Sequence, residues 1–216
     1  MLAIGGVELL PAWPAFLGFA LAGLALNLVP GADMAFVVAS AVRDGRRAGV
    51  TAALGIGAGA LVHVLAATLG LSAILASSQA AFNAVKWAGA AYLLWIAFSL
   101  LRANRTAARP APAARRLFRS AMLVNILNPK VALFFLAFLP QFVDPAARLP
   151  AAQIFCLGLW FDAVGTLVNI AIALAAAGAA ARLAHVGWLG TAARWLAATL
   201  IGALALRLAF AARAQA

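Results

Sequence analysis

Two stretches of this chain set an asparagine, a proline and a charge into otherwise apolar sequence. They are Leu26-Asn27-Leu28-Val29-Pro30-Gly31-Ala32-Asp33 and Asn125-Ile126-Leu127-Asn128-Pro129-Lys130. Proline lacks an N–H and clashes with the carbonyl four residues back, so each stretch predicts a broken helix. At membrane depth a break holds only where protein or a polar cavity surrounds the freed backbone groups. Paired breaks in corresponding places of two halves point to the binding site of a transporter.

The surrounding sequence is apolar enough for a membrane. Of the 216 residues, 67% are hydrophobic, against about 45–50% in soluble domains. A soluble core of this size could not hide that surface. The net charge of +11 suggests nucleic acid at first sight, but the tight cluster Arg102, Arg105, Arg109, Arg115, Arg116 and Arg119 lies between apolar runs. Such an excess marks cytoplasmic loops facing anionic lipid, and no nucleic-acid partner is expected. The single cysteine, Cys156, supports neither a disulfide framework nor a Cys-rich metal site. The N-terminus has neither a basic n-region nor a cleavage-like ending, so no cleaved signal peptide is expected.

A crossing needs about 20 apolar residues. Six runs qualify: 13–29 continued by 34–42, then 48–75, 82–101, 118–143, 151–181 and 188–210. The expectation is an all-α integral membrane fold of six transmembrane helices, with helices 1 and 4 broken. Residues 1–101 form a first three-helix repeat and 120–216 a second, joined by a basic linker at 102–119 that carries Pro110 and Pro112. Three spans is an odd number, so the second repeat enters the membrane from the opposite side, as inverted repeats do. Arg43, Arg46, Arg47, the linker arginines and Arg182 then share one side, and Lys86, Arg148, Arg207 and Arg213 the other. The positive-inside rule makes the linker cytoplasmic and both termini external.

Several residues in this frame are candidates for substrate binding or coupling. Past Pro30 and Gly31 a new half-helix begins, whose free N–H groups suit an anion such as a carboxylate. The plainer reading is a kink, with Asp33 satisfying the first-turn amides. Lys130 sits in the first turn after Pro129, against the helix dipole, so an anionic partner is expected: Asp33, Asp162 or a substrate carboxylate. Snorkelling to the interface is the alternative. His63 follows Pro30 by 33 positions and Asp162 follows Pro129 by 33 (63 − 30 and 162 − 129). In inverted repeats these two side chains are equivalent and could meet. Burial and pairing act oppositely on the proton affinity of each, so such a pair could carry protons. Separate satisfaction by nearby backbone or hydroxyl groups is the alternative. Asn27, Asn125 and Asn128 could serve the freed backbone or a substrate, with Gln141 and Thr166 as weaker candidates.

Gly55-Ile56-Gly57-Ala58-Gly59-Ala60 matches a loose dinucleotide pattern, but no strand precedes it and no acid follows at the required distance. Read as Gly55-x-x-x-Gly59 it is a face for close helix packing. No H-E-x-x-H, Cys-pair, G-x-S-x-G or P-loop motif is present. Enzyme chemistry, ATP hydrolysis and a cofactor are therefore without support.

The stretch Asn27 to Asp33, the run Gly45-Arg46-Arg47-Ala48-Gly49, the Gly-rich second span reaching His63, and Lys86-Trp87-Ala88-Gly89-Ala90-Ala91-Tyr92-Leu93 resemble the lysine-exporter (LysE/RhtB) family. So do Asn125 to Lys130 and Ala132-Leu133-Phe134-Phe135-Leu136-Ala137-Phe138-Leu139-Pro140-Gln141-Phe142. The resemblance implies a bacterial inner-membrane exporter of amino acids or close derivatives driven by protons. It departs at Ala32, where the family has a second proline, which should soften the start of the half-helix. A small-ion or metal exporter and a non-transporting membrane scaffold are the other readings. Small Gly and Ala faces suit either internal packing or a homodimer.

Overall fold

The computed structural model describes residues 3–4, 7–70, 113–144 and 146–183, with single helical positions at 87, 91, 94, 95, 98, 195, 199, 203 and 206. Most of the expected third and sixth spans and most of the linker lie outside the described residues. A two-residue antiparallel pair, β1 (Ala3–Ile4) and β2 (Val7–Glu8), precedes the helices.

Helix α1 runs Trp13–Leu28, with Pro14 in its first turn where no N–H is missed. It stops at Val29, whose extended conformation (φ −68, ψ 121) is the one a following proline imposes. The Val29 N–H is shared between Ala25 O and Leu26 O, which tightens the last turn. Helix α2 (Ala32–Asp44) then sets off at 50° to α1. It begins on Ala32 itself, so replacement of the second proline leaves the break intact.

Helix α3 (Arg46–Thr68) follows the expected 48–75 span up to Thr68, and positions 71–75 lie outside the described residues. Just past it Gly70 takes φ +73, and its N–H returns to Ala67 O, a C-terminal stop that glycine favours. The second break follows α4 (Ala114–Ile126) and precedes the short α5 (Pro129–Leu133). From α5 the chain passes through a π turn at Phe134–Phe138 into a 3-10 turn at Leu139–Phe142. Pro140 cannot continue an α-ladder and crowds the carbonyl four residues back, so the helix widens and then tightens around it. Helix α6 (Pro150–Leu183) is unbroken and matches the expected fifth span within two residues at each end.

Two described helices, Arg46–Thr68 and Pro150–Arg182, are long and apolar enough to cross a membrane, and the bent α1–α2 pair makes a third. The chain is helical and of membrane character. α3 and α6 are antiparallel: a Cβ on Gly49 would come within 2.9 Å of Ala173, and one on Gly158 within 3.0 Å of Val64. α4 lies parallel to α3 and touches it as closely. A Cβ on Gly59 would meet Met122 O at 2.6 Å and Asn125 Cβ at 2.7 Å. Gly59→Ala is therefore expected to cost about 1–3 kcal/mol by overpacking, read as a lowered unfolding temperature of the detergent-solubilised protein. An unchanged midpoint would mean that α3 and α4 do not pack so closely.

Burial falls into two apolar clusters. One gathers Phe36, Val37 and Ala41 of α2, Ala52, Ala53 and Ile56 of α3, Leu117, Ala121 and Val124 of α4, and Ala173 and Ala177 of α6. The other gathers Phe19 of α1, Val64 and Ala67 of α3, Val131, Phe134, Phe135 and Leu139 beyond the second break, and Leu157 and Phe161 of α6. Its aromatic rings interlock, with Phe134 stacked on Phe161 at 4.1 Å. Each chain run passes from one cluster to the other at a polar residue: Pro30 to Asp33, His63, Asn125 to Lys130, and Asp162 to Thr166. The fold thus holds a polar layer between two apolar ones.

Candidate functional site

The two breaks meet in that polar layer. Lys130 Nζ donates to Val29 O at 2.8 Å, across 101 residues of sequence. Val29 caps the C-terminal end of α1, where unpaired carbonyls carry partial negative charge, so the ammonium meets a favourable helix end. A Cβ on Gly31 would lie 3.6 Å from both Lys130 Cδ and Nζ, which places the lysine stem over the Gly31 backbone. The partner expected for Lys130 was an anion. The direct contact is instead a carbonyl, while Asp33 acts on the ammonium through space. Among the described residues the direct ion pair is Arg43–Asp44 at 2.6 Å, at the exposed end of α2.

Asp33 stands in the first turn of α2, and Asn125 Nδ2 donates to its Oδ2 at 3.1 Å. Asn125 is almost wholly buried. Its backbone oxygen meets His63 Nε2 at 3.2 Å, so this one residue joins α3, α4 and α2. Asn128 is the N-cap of α5, with Oδ1 accepting from Lys130 N at 3.0 Å, the service to freed backbone that a broken helix needs. Asp33 Oδ1, Asn125 Oδ1 and Asn128 Nδ2 are buried and have no hydrogen-bond partner.

Asn27 reaches sideways instead. Its Nδ2 donates to Phe161 O of α6 at 3.4 Å, and a Cβ on Gly165 would come within 2.8 Å of its Oδ1. Glycine at 165 is what lets the amide approach.

His63 and Asp162 do not pair in this structure. His63 is held by Asn125 O and stacks on Phe135 at 6.0 Å. Asp162 accepts from Thr166 Oγ1 at 3.4 Å, one turn along its own helix. Both side chains of that α6 pair lie over the bare backbone of Gly57, where a Cβ would strike Thr166 Oγ1. The equal spacing from the two prolines thus brings His63 and Asp162 into one layer without joining them.

The residues that sequence reasoning missed carry little signal in a sequence. Val29 contributes only its carbonyl, and its importance follows from the proline after it. Gln153 is fully buried and accepts from Asp144 N at 2.9 Å, pinning the turn before α6. A lone amide in an otherwise apolar first turn could have flagged it. Among the described residues no cluster of three His, Cys, Asp or Glu could hold a metal. A cavity of about 360 Å³ opens along α4, lined by Arg115, Arg116, Arg119 and Leu123 among others, and none of the candidate residues lines it.

The family model for the LysE type translocator matches residues 24–212, which contain both breaks and every candidate residue. The chain belongs to the LysE type translocator family. It is 31% identical over 159 residues to a membrane protein of Vibrio cholerae, covering 71% of this chain and 76% of that one. It is 31% identical to the leucine efflux protein of Klebsiella pneumoniae, covering 69% and 73% of the two chains. It is 34% identical to the homoserine/homoserine lactone efflux protein of Salmonella typhimurium, covering 68% and 71%. No solved structure matches it. The polar layer therefore belongs to a LysE type translocator.

Proposed function

We propose that this translocator exports amino acids or close derivatives across the bacterial inner membrane in exchange for protons, binding its substrate between two inverted three-helix repeats where the broken helices touch. The observation that carries this reading is the Lys130 Nζ to Val29 O contact, which closes one break onto the other. A conformational change that separates the halves must open that contact, so the substrate site and the moving parts coincide. Around it lie the first-turn amides of α2, the Lys130 ammonium and the amides of Asn125 and Asn128, a set suited to a small zwitterion.

The close antiparallel packing of α3 on α6 supports the repeat, since helices related by a pseudo-two-fold axis in the membrane plane must run oppositely. The leucine and homoserine efflux relatives support substrates of that size. The positive-inside bias supports a cytoplasmic linker and external termini. His63 and Asp162 act separately in coupling, one from α3 and one from α6. His63→Ala and Asp162→Asn are each expected to slow proton-driven efflux about tenfold or more.

The test is efflux from vesicles holding the purified protein under an imposed pH gradient, with a panel of labelled amino acids that includes leucine and homoserine. Gradient-dependent movement of at least one is expected. No movement of any amino acid would overturn the reading.

A further inference from the structure

Four buried side-chain polar atoms among the described residues lack a hydrogen-bond partner, and three of them sit at the breaks: Asp33 Oδ1, Asn125 Oδ1 and Asn128 Nδ2. Buried polar groups are normally paired, and a group left unpaired in a native protein asks for a reason. At the breaks the three fall into two settings. Asn125 Oδ1 lies against Gly59, where a Cβ would be 3.1 Å away, and so faces the α3 backbone. Asp33 Oδ1 and Asn128 Nδ2 belong to neighbouring side chains close enough to act on each other, yet neither atom meets hydrogen-bond geometry.

That leaves a charged acceptor beside a neutral donor, with the Lys130 ammonium and the uncapped N-terminus of α2 next to them. The other carboxylate oxygen, Oδ2, is already held by Asn125 Nδ2 at 3.1 Å, which fixes the carboxyl plane. In an α-amino acid the ammonium and the carboxylate are one carbon apart. The ammonium fits the charged acceptor. The carboxylate fits Asn128 Nδ2, the lysine and the α2 amides.

On the exporter reading above, we propose that Asp33 is the ammonium subsite of the exported compound and also the site of the exchanged proton, so that substrate and proton compete for one carboxylate oxygen. Ammonium bound at Oδ1 requires the carboxylate form. A proton arriving at Oδ1 breaks only the hydrogen bond to the ammonium and removes the charge that held it. One proton therefore replaces one substrate at this carboxylate.

The groups facing this carboxyl are few. α4 offers Asn125, the segment beyond the second break offers Asn128 and Lys130, and α3 offers His63 one residue removed, through Asn125 O. The Asp162 carboxylate of α6 is turned to Thr166 instead.

The experiment compares each labelled amino acid of the panel with its 2-hydroxy acid counterpart, in which a hydroxyl replaces the ammonium. It uses vesicles of wild type, Asp33→Asn and Asp33→Glu, with thermal stability measured in parallel. Wild type is expected to prefer the amino acid by about 100-fold or more, because a site built for an N–H donor rejects a ligand without it. Asp33→Asn should lose that preference in residual exchange, falling to about threefold or less, and Asp33→Glu should restore part of it. Substrate binding should also release a proton into weakly buffered solution from wild type and not from Asp33→Asn. Hydroxy acids carried as well as amino acids by wild type, or preference and proton release kept in a folded Asp33→Asn, would overturn the subsite and leave the exporter reading standing. Failure of every amino acid to move would overturn both.

Discussion

Lys130→Met is expected to abolish efflux while leaving a folded, membrane-inserted protein. Methionine keeps most of the stem that lies over Gly31, so packing changes little. What disappears is the ammonium that donates to Val29 O and faces Asp33 through space. Deleting one member of a buried charge arrangement costs about 3–5 kcal/mol. Lys130 is half-buried, and screening reduces that figure to roughly 2 kcal/mol, about thirtyfold in the population of the closed arrangement. Transport should fall further, because the substrate carboxylate loses its countercharge as well. A decrease of about 100-fold or more in initial efflux rate is the expected reading. Lys130→Arg keeps the charge in a broader, planar group and should keep measurable activity. Wild-type rates in Lys130→Met would mean that the contact between the breaks is incidental.

Asn125→Val should produce the second largest effect, by a different route. Its backbone oxygen still meets His63, so that contact survives the substitution. Only the Nδ2 donor to Asp33 is lost, which leaves both carboxylate oxygens unpartnered. A hydrogen bond to a charged group is worth about 1.5–3 kcal/mol. A loss of about 10- to 100-fold in apparent substrate affinity follows. Asn125→Asp should do worse near neutral pH, because a second carboxylate facing Asp33 repels it where the amide donated a hydrogen bond. Its residual efflux should rise as the pH falls and one of them takes up a proton. Substrate titrations by efflux at several pH values would show both effects. Unchanged affinity in Asn125→Val would separate Asn125 from the site.

Much of this site could be read from residue types alone, and the part that could not is backbone. Pro30 and Pro129 announce the breaks because proline cannot extend a helical ladder. Asn128 announces an N-cap because its side chain imitates the missing carbonyl. The carbonyl of Val29 has no such signature: any residue supplies one, and only the packing of the two breaks decides which carbonyl Lys130 reaches. The equal spacing of His63 and Asp162 placed both in the polar layer. Their partners depend on rotation about each helix, which the spacing does not fix, and the observed contacts are to Asn125 O and Thr166. Gly70 closes α3, because a residue in the left-handed region cannot continue a right-handed ladder. Pro140 lay in plain view, but whether it kinks, breaks or widens a helix is set by the ring packing around Phe134 and Phe135.

The meeting of the two breaks is most directly tested by cross-linking Gly31→Cys to Lys130→Cys, with Cys156 replaced by alanine and a protease site placed in the linker. A short thiol-to-thiol reagent should hold the two halves together after cleavage, because Gly31 and the Lys130 stem are in contact. Halves that separate completely after treatment, under conditions where both cysteines are shown to react, would contradict the account.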